Sequence, residues 1–399
     1  MHVILVLSNG YGEDLVGARI ASELRRALPG REVVGFPLVG SFGTYRRQGL
    51  RVVGSSQMMP SGGFARTSAR SLFRDLRAGL LGCLKQQVSE MRALSRQVEL
   101  TVCVGDVFLL CLSSLGRLPN RLLVATAKSE YISGHAQAEV CLMRRLAEAV
   151  VARDQLTSDA LNSKGVRSLY FGNFLMDVIE RSGDYVHPYS CEYLVCLLPG
   201  SRNDYPMNLH DMLKCLEALP SADDLGFVAA LARAPGEEEL SATLPGDTWS
   251  YVPCSGKSDV GHVGDFVCMR PDKPIGPRVA VVSGRFGDVV AASDLVIGMA
   301  GTAVEQAVGL GKPAVTFPGR GAQFTTAFAA AQKRLLGDAV CLVESSEPGE
   351  VASEIVGILS DKSRYSMMSS AGVERMGGAG AARRFVEYVC ALDGVVDGA

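Results

Sequence analysis

No stretch of the chain approaches the ~20 consecutive apolar residues that a membrane-spanning helix needs. The opening residues, Met1-His-Val-Ile-Leu-Val-Leu7, read as a strand and are too short for a signal peptide. No Cys-x-x-Cys pair occurs among the 11 cysteines. Cys103, Cys196 and Cys341 lie in apolar runs and read as buried thiols in a reducing compartment, which excludes a disulfide framework and a zinc ribbon. Neither sign of charge dominates: 40 Lys and Arg against 42 Asp and Glu leave a net charge of −2, so bulk attraction to nucleic acid is excluded. An Asp-x-Asp metal motif at a strand end is absent. So is a Gly-x-Gly-x-x-Gly after the first strand, because Leu15 stands where the third glycine should follow Gly10-Tyr-Gly12. That argues against an NAD-dependent dehydrogenase. No repeat of fixed short period is present. A cytoplasmic protein is expected, with contact to the inner face of the cell membrane left open.

What is present is an α/β pattern. With 399 residues and 47% hydrophobic content, two domains are the default. Short apolar runs suited to buried parallel strands recur at Val3–Leu7, Leu100–Val104, Leu122–Ala125, Ala149–Ala152 and Ser168–Phe171, with helical periodicity between them. Apolar residues Leu15, Val16, Ile20, Leu24 and Leu28 mark a helix over roughly Glu13–Leu28, so Ser8–Asp14 is expected to be a loop. A polar stretch from Glu180 to Ser190 reads as an interdomain linker, after which Tyr193–Leu198 restarts the strand pattern. Such alternation predicts doubly wound parallel sheets. The expected division is residues 1–180, 190–376, and a last helix within 377–399.

One stretch organises the rest. Leu295-Val-Ile297 is a buried strand, Gly298 and Gly301 flank a turn, a helix follows, and Ala314–Phe317 is the next strand. Thr302 is placed to cap that helix, with Glu305 three residues on as in a capping box. A helix start at the carboxyl end of a parallel strand suits a phosphate, and Glu305 can reach a ribose hydroxyl pair or serve only as the box acid. A second stretch is basic and amphipathic: Phe64, Arg66, Arg70, Phe73, Arg74 and Arg77 lie in or before an apolar helix, a pattern that fits an anionic membrane surface or an ordinary packed helix.

These signals occur in an order that resembles one family. Ser8-Asn-Gly-Tyr-Gly-Glu-Asp14 with Gly17, Gly62-Gly-Phe64 and the basic helix, Gly105-Asp106, Gly172-Asn173 with Asp177, Leu198-Pro-Gly-Ser-Arg202, and Ala292–Pro318 together resemble lipid-A-disaccharide synthase-related proteins. A weaker likeness extends to the peptidoglycan GlcNAc transferase. The resemblance implies a GT-B fold, two Rossmann-like doubly wound domains facing a cleft, with the final helix crossing back onto the first. It implies an inverting, metal-independent hexosyltransferase that moves a GlcNAc-type sugar from a UDP-sugar to a lipid-linked acceptor. The UDP-sugar is the donor substrate, and neither a further cofactor nor a metal is expected. A homodimer is left open. The chain departs from the synthase at Gly10 and Leu109, where that family carries carboxylates.

Inverting transfer needs a base for the acceptor hydroxyl and donors for the departing diphosphate. Asp106, after a buried strand, is the candidate base or else a helix cap. Glu13 is a second candidate, or else a first-turn acid. Asn9, Gly10, Tyr11 and Gly12 form the expected acceptor loop. Gly200, Ser201 and Arg202 are expected at the diphosphate, with Ser201 also placed to cap the next helix. Gly301, Thr302, Glu305 and Gln306 complete the donor helix. Arg285 and Phe286 are expected near the uracil and Gln323 near the donor sugar. Lys128, Glu130 and His135 face the acceptor or the solvent. Two alternatives remain: a UDP-sugar epimerase of the same fold, which should carry more cleft carboxylates and histidines than a chain with 5 His supplies, and a non-catalytic nucleotide- or lipid-binding protein.

Overall fold

Val3–Ser8 forms strand β1, and all of its side chains are buried, as a parallel strand covered on both faces requires. A computed structural model describes residues 3–39, 42–55, 80–187, 190–220, 224–253, 257–258, 261–262, 265–270 and 276–396. After β1 come β2 (Glu32–Pro37), β3 (Arg51–Val52), β4 (Val98–Gly105), β5 (Arg121–Ala125), β6 (Ala149–Val151) and β7 (Ser168–Leu169). They join in the order β3-β2-β1-β4-β5-β6-β7, every neighbour parallel. Helices Tyr11–Ala27, Leu80–Leu94, Val107–Leu115, Gln137–Leu146 and Gln155–Ser163 follow strands of this sheet. The first helix begins at Tyr11, so Asn9-Gly10 is the whole loop after β1, and the expected loop to Asp14 is corrected. Gly12 did not break the helix because the first turn has few intrahelical bonds to lose.

The last helix, Ala381–Val396, belongs to the same unit, Met1–Val178 with Ala379–Ala399. Its buried residues Ala381, Ala382, Phe385, Val386 and Val389 share a core with Val16, Ile20 and Leu24 of the first helix. Asp177 caps it from far along the chain: its carboxylate accepts from the Gly380 amide and, at 2.6 Å, from the Ala382 amide. The acid sits where a helix start favours negative charge.

The second unit, Ile179–Gly378, repeats the plan. Its strands are β8 (Tyr193–Leu198), β9 (Leu225–Leu231), β10 (Ser250–Pro253), β11 (Lys257–Ser258), β12 (Gly261–His262), β13 (Phe266–Met269), β14 (Val279–Ser283), β15 (Leu295–Gly298), β16 (Ala314–Thr316) and β17 (Val340–Leu342). The main sheet runs β10-β13-β14-β9-β8-β15-β16-β17, parallel from β14 to β17 with antiparallel pairing at β10 and β13, while β11 and β12 form a separate hairpin. Helices Tyr205–Glu217, Phe286–Ala292, Thr302–Gly309, Thr326–Leu336 and Pro348–Ser360 pack beside it. A helix at Lys362–Met376 has no counterpart in the sequence pattern, because only Met368, Gly372 and Met376 of it are buried. The basic helix proposed for membrane contact, with Phe64, Arg66, Arg70, Phe73, Arg74 and Arg77, lies outside the described residues. Among the described residues no helix is long and apolar enough to cross a membrane.

A buried polar cluster ties the end of β1 to its neighbours. Ser8 Oγ donates to Asp14 Oδ1 at 2.5 Å and lies 2.8 Å from the Tyr45 hydroxyl. The Tyr45 ring fits because two facing residues lack side chains: a Cβ on Gly17 would lie 2.2 Å from its hydroxyl, and one on Gly35 2.4 Å from its ring. Asp14 is 1% exposed. Burial pushes its carboxyl up to about 7, opposed by the Ser8 hydrogen bond and assisted by the Glu13 charge. Burial and the neighbouring Asp14 likewise push the Tyr45 phenol up. The folded state therefore holds a proton that the unfolded chain releases above its ordinary value of 3.8. The contribution is fully present below that value and is lost as pH rises through about 7. Asp14→Asn removes the titration, so its stability relative to the parent should climb between pH 4 and pH 8, by roughly several degrees in Tm; a difference that stays flat across that window contradicts the assignment.

Candidate functional site

In the second unit, β8 and β15 are parallel neighbours whose ends coincide: Gly298 pairs with Leu198, and the Met299 amide donates to the Leu198 carbonyl at 2.9 Å. The chain passes from β8 to β9 on one side, and β15 lies on the other. This is the point of an open α/β sheet where ligands sit, beyond the carboxyl ends of the strands. Pro199–Asp204 leaves β8 and Met299–Gly301 leaves β15 at this edge. They touch, with the Met299 carbonyl oxygen 3.3 Å from where a Cβ on Gly200 would stand; Gly200 has φ of 97°, which favours glycine.

A third loop, after β16, is stitched to them. The Gln323 amide donates to Asp204 Oδ2 at 3.1 Å, and Arg202 Nη1 donates to Gln323 Oε1 at 2.5 Å. A Cβ on Gly319 would meet Met299 Cε at 2.5 Å and Asn208 Oδ1 at 2.9 Å. Arg320 makes a two-pronged contact with Asp211, at 3.0 and 2.6 Å. The structure thus brings Gly200, Ser201, Arg202, Gly301, Thr302 and Gln323 to one edge of one sheet. Glu305 and Gln306 sit a turn into the helix Thr302–Gly309 and are 9% and 8% exposed.

Two capping expectations are corrected here. Gly301, not Thr302, is the N-cap of that helix, and a glycine has no side chain to cap it with. The chain turns one residue earlier than the Thr-x-x-Glu spacing suggested, so Thr302 already has helical geometry. Ser201 does not cap the next helix either: Asp204 occupies the N-cap of Tyr205–Glu217, and its carboxylate is turned to Gln323 instead.

Arg285 and Phe286 stand at the end of β14, two strands from β8. The Arg285 guanidinium is bonded to Asp184 and Ser182. Asp288 also holds that segment, accepting from the Ser182 and Gly183 amides at 3.0 Å each. The Arg285 side chain is therefore occupied in the Ser182–Asp184 segment.

In the first unit the equivalent edge lies between β1 and β4. Asp106 caps the helix Val107–Leu115, its Oδ1 accepting from the Phe108 amide at 3.1 Å and from Asn9 Nδ2 at 3.2 Å. Gly105, with φ of 148°, lets Asn9 approach: a Cβ there would lie 2.2 Å from Asn9 Oδ1. Glu13 folds back so that its Oε2 lies 2.5 Å from where a Gly10 side chain would begin. A carboxylate thus fills the space beside Gly10 although the residue itself has none. Tyr11 is 58% exposed. Lys128 pairs with Glu139 at 2.7 Å and Glu130 with Lys164 at 3.3 Å, while burial holds His135 below its ordinary range. Among the described residues no group of His, Cys, Asp or Glu is arranged to hold a metal ion.

Sequence reasoning missed Asp204, Asn208 and Gln332. Asn208 Nδ2 donates to the Pro199 carbonyl at 2.9 Å, and Gln332 Nε2 donates to the Ala300 carbonyl at 2.8 Å and the Gly301 carbonyl at 3.3 Å. For two of them the signal was available: Asn208 and Gln332 are polar residues on the apolar faces of their helices, Asn208 with Tyr205, Leu209 and Met212, and Gln332 with Ala329, Leu335 and Leu336.

No family model and no curated protein matches the chain. Solved structures do. A UDP-GlcNAc 2-epimerase from Neisseria meningitidis bound to UDP-GlcNAc is 13% identical, with a TM-score of 0.58 over 98% of this chain and 100% of its own. The glycosyltransferase of kitacinnamycin is 15% identical, with a TM-score of 0.61 over 97% and 98%. The calicheamicin glycosyltransferase is 16% identical, with a TM-score of 0.59 over 98% and 97%. At such identities the likeness establishes the fold alone. The chain has the α/β architecture of these proteins, the GT-B fold, built from two doubly wound units with parallel-dominated sheets.

Proposed function

We propose that the chain is a UDP-sugar enzyme that holds its nucleotide on the second unit and inverts a carbon of the sugar, as a UDP-GlcNAc 2-epimerase does. The observation that carries the nucleotide part is the meeting of the Pro199–Asp204, Met299–Gly301 and post-β16 loops at the β8–β15 edge. There a helix start with a glycine N-cap and the Arg202 guanidinium, held by Gln323, stand at one sheet edge. A helix start and a guanidinium both favour a diphosphate. Glu305 is the proposed ribose partner, with Gln306 beside it, and Gln323 is the proposed neighbour of the sugar. Asp106 is the proposed base, aimed by Asn9, and Glu13 the second acid. The epimerase reading rests on structural likeness to such enzymes over almost the whole chain, and it needs no acceptor.

A second reading, transfer of the sugar to a lipid-linked acceptor at a membrane surface, is favoured by the Leu198-Pro-Gly-Ser-Arg202 string and the Ala292–Pro318 pattern. Both reactions loosen the bond between sugar and diphosphate, so both require the developing charge on the diphosphate to be held. The deciding experiment incubates the purified chain with UDP-GlcNAc and other UDP-sugars, with and without membrane lipids. A changed sugar without lipid is the expected outcome. UDP release that depends strictly on lipid would replace epimerisation by transfer, and tight UDP binding with no turnover under any condition would make the chain a binding protein.

Arg202→Ala and Glu305→Ala should each weaken UDP affinity by about 10- to 100-fold, the loss of one charge-assisted contact, measured by calorimetry. Unchanged affinity in both would remove the nucleotide from this edge. Asp106→Asn should leave UDP affinity within about twofold and lower turnover by roughly 100-fold or more. Asn keeps the cap on Val107–Leu115, so full activity in this variant would show that Asp106 is a cap and no more.

A further inference from the structure

The amide groups at the β8–β15 edge are aimed by two buried side chains on other helices. In a trans peptide the C=O of one residue and the N–H of the next point to opposite sides. Asn208, 2% exposed, holds the Pro199 carbonyl, so the Gly200 N–H is turned away from Asn208. Gln332, 4% exposed, holds the Ala300 carbonyl and shares the Gly301 carbonyl with the Glu305 amide, each at 3.3 Å, so the N–H groups of Gly301 and Thr302 are turned away from Gln332. None of these three N–H groups donates to a backbone group among the described turn, loop and cap bonds. The sense of each side-chain amide is fixed. Turning either over would set its oxygen against a carbonyl oxygen, and Asn208 Oδ1 and Gln332 Oε1 have no partner among the described residues that would reward the turn.

We propose that Asn208 and Gln332 are positioning residues for the diphosphate of the nucleotide, acting through the Gly200, Gly301 and Thr302 amides. The inference rests on the nucleotide-sugar reading above and adds what orients its phosphate site. Met299–Gly301 carries no side chain that could fix its own peptides, because the N-cap is a glycine. Without Gln332 the Ala300 carbonyl loses the side-chain donor that holds it, and that peptide can turn its carbonyl toward the phosphate. Asn208 does the same service for Pro199–Gly200. A carboxylate at either place would reverse the effect, since it accepts and cannot donate.

The test compares UDP with uridine, which shares the base and ribose but lacks the phosphates. Calorimetry on the full chain and on Asn208→Leu and Gln332→Met should show UDP affinity falling about tenfold in each variant while uridine affinity stays within about twofold. Equal losses for both ligands, or no loss for either, would overturn the positioning role. Where a variant does not fold, hydrogen exchange on the parent chain decides: UDP, and not uridine, should slow exchange at residues 200, 301 and 302, and protection elsewhere only would overturn the proposal. A parent chain that binds neither UDP nor uridine would sink the nucleotide reading itself, an outcome distinct from a parent that prefers UDP and variants that still do.

Discussion

Parallel strands that wind in both directions from a central strand leave one edge where the two neighbouring loops diverge. In the second unit that edge lies between β8 and β15, with β9 on the other side of β8. The loops that follow are held close by Gly200 against Met299 and by Asp204 on the Gln323 amide. The first unit has the same edge between β1 and β4, and there Asn9 reaches Asp106. The strand order is the constraint on which the rest depends, because it places residues distant in sequence within hydrogen-bond range of one another.

The two edges are finished differently. After β4 the helix start is filled by the chain's own carboxylate, Asp106, which takes the Phe108 amide. After β15 the corresponding start has a glycine N-cap, which carries no side-chain acceptor of its own. A helix start attracts negative charge in either case, and in the first unit that demand is met internally. In the second unit the glycine N-cap has no side chain to meet it, and the buried Gln332 amide holds the Ala300 and Gly301 carbonyls of the turn. The contrast favours the second unit as the place for an anionic group. It leaves the first unit as the place where carboxylates, Asp106 and Glu13, are presented.

Much of this was legible in the sequence. Tyr193–Leu198, Leu295–Ile297 and Ala314–Phe317 read as buried strands because parallel strands covered on both faces are apolar without alternation, and the structure has β8, β15 and β16 there. The glycine turn before Thr302 was visible, but its capping residue was misplaced by one position, since side-chain type alone does not say where φ and ψ become helical. Lys362–Met376 escaped because a helix packed by few residues has almost no periodic signal, although Asp361, which accepts from the Ser363 and Arg364 amides, marks its start. Asp177 at the start of the last helix could not be read at all: the partners are far apart in sequence and meet only through the fold. Asn208 and Gln332 lie between these cases. Their polar character on an apolar face was visible, while the carbonyls they hold were not.

The most direct test is a crystal structure of the chain grown with UDP. A phosphate is expected within about 3 Å of the Gly301 amide, with the Arg202 guanidinium turned from Gln323 toward it and the ribose beside Glu305. A nucleotide bound at any other edge, or a phosphate held by side chains with the Gly200 and Gly301 amides uninvolved, would contradict it.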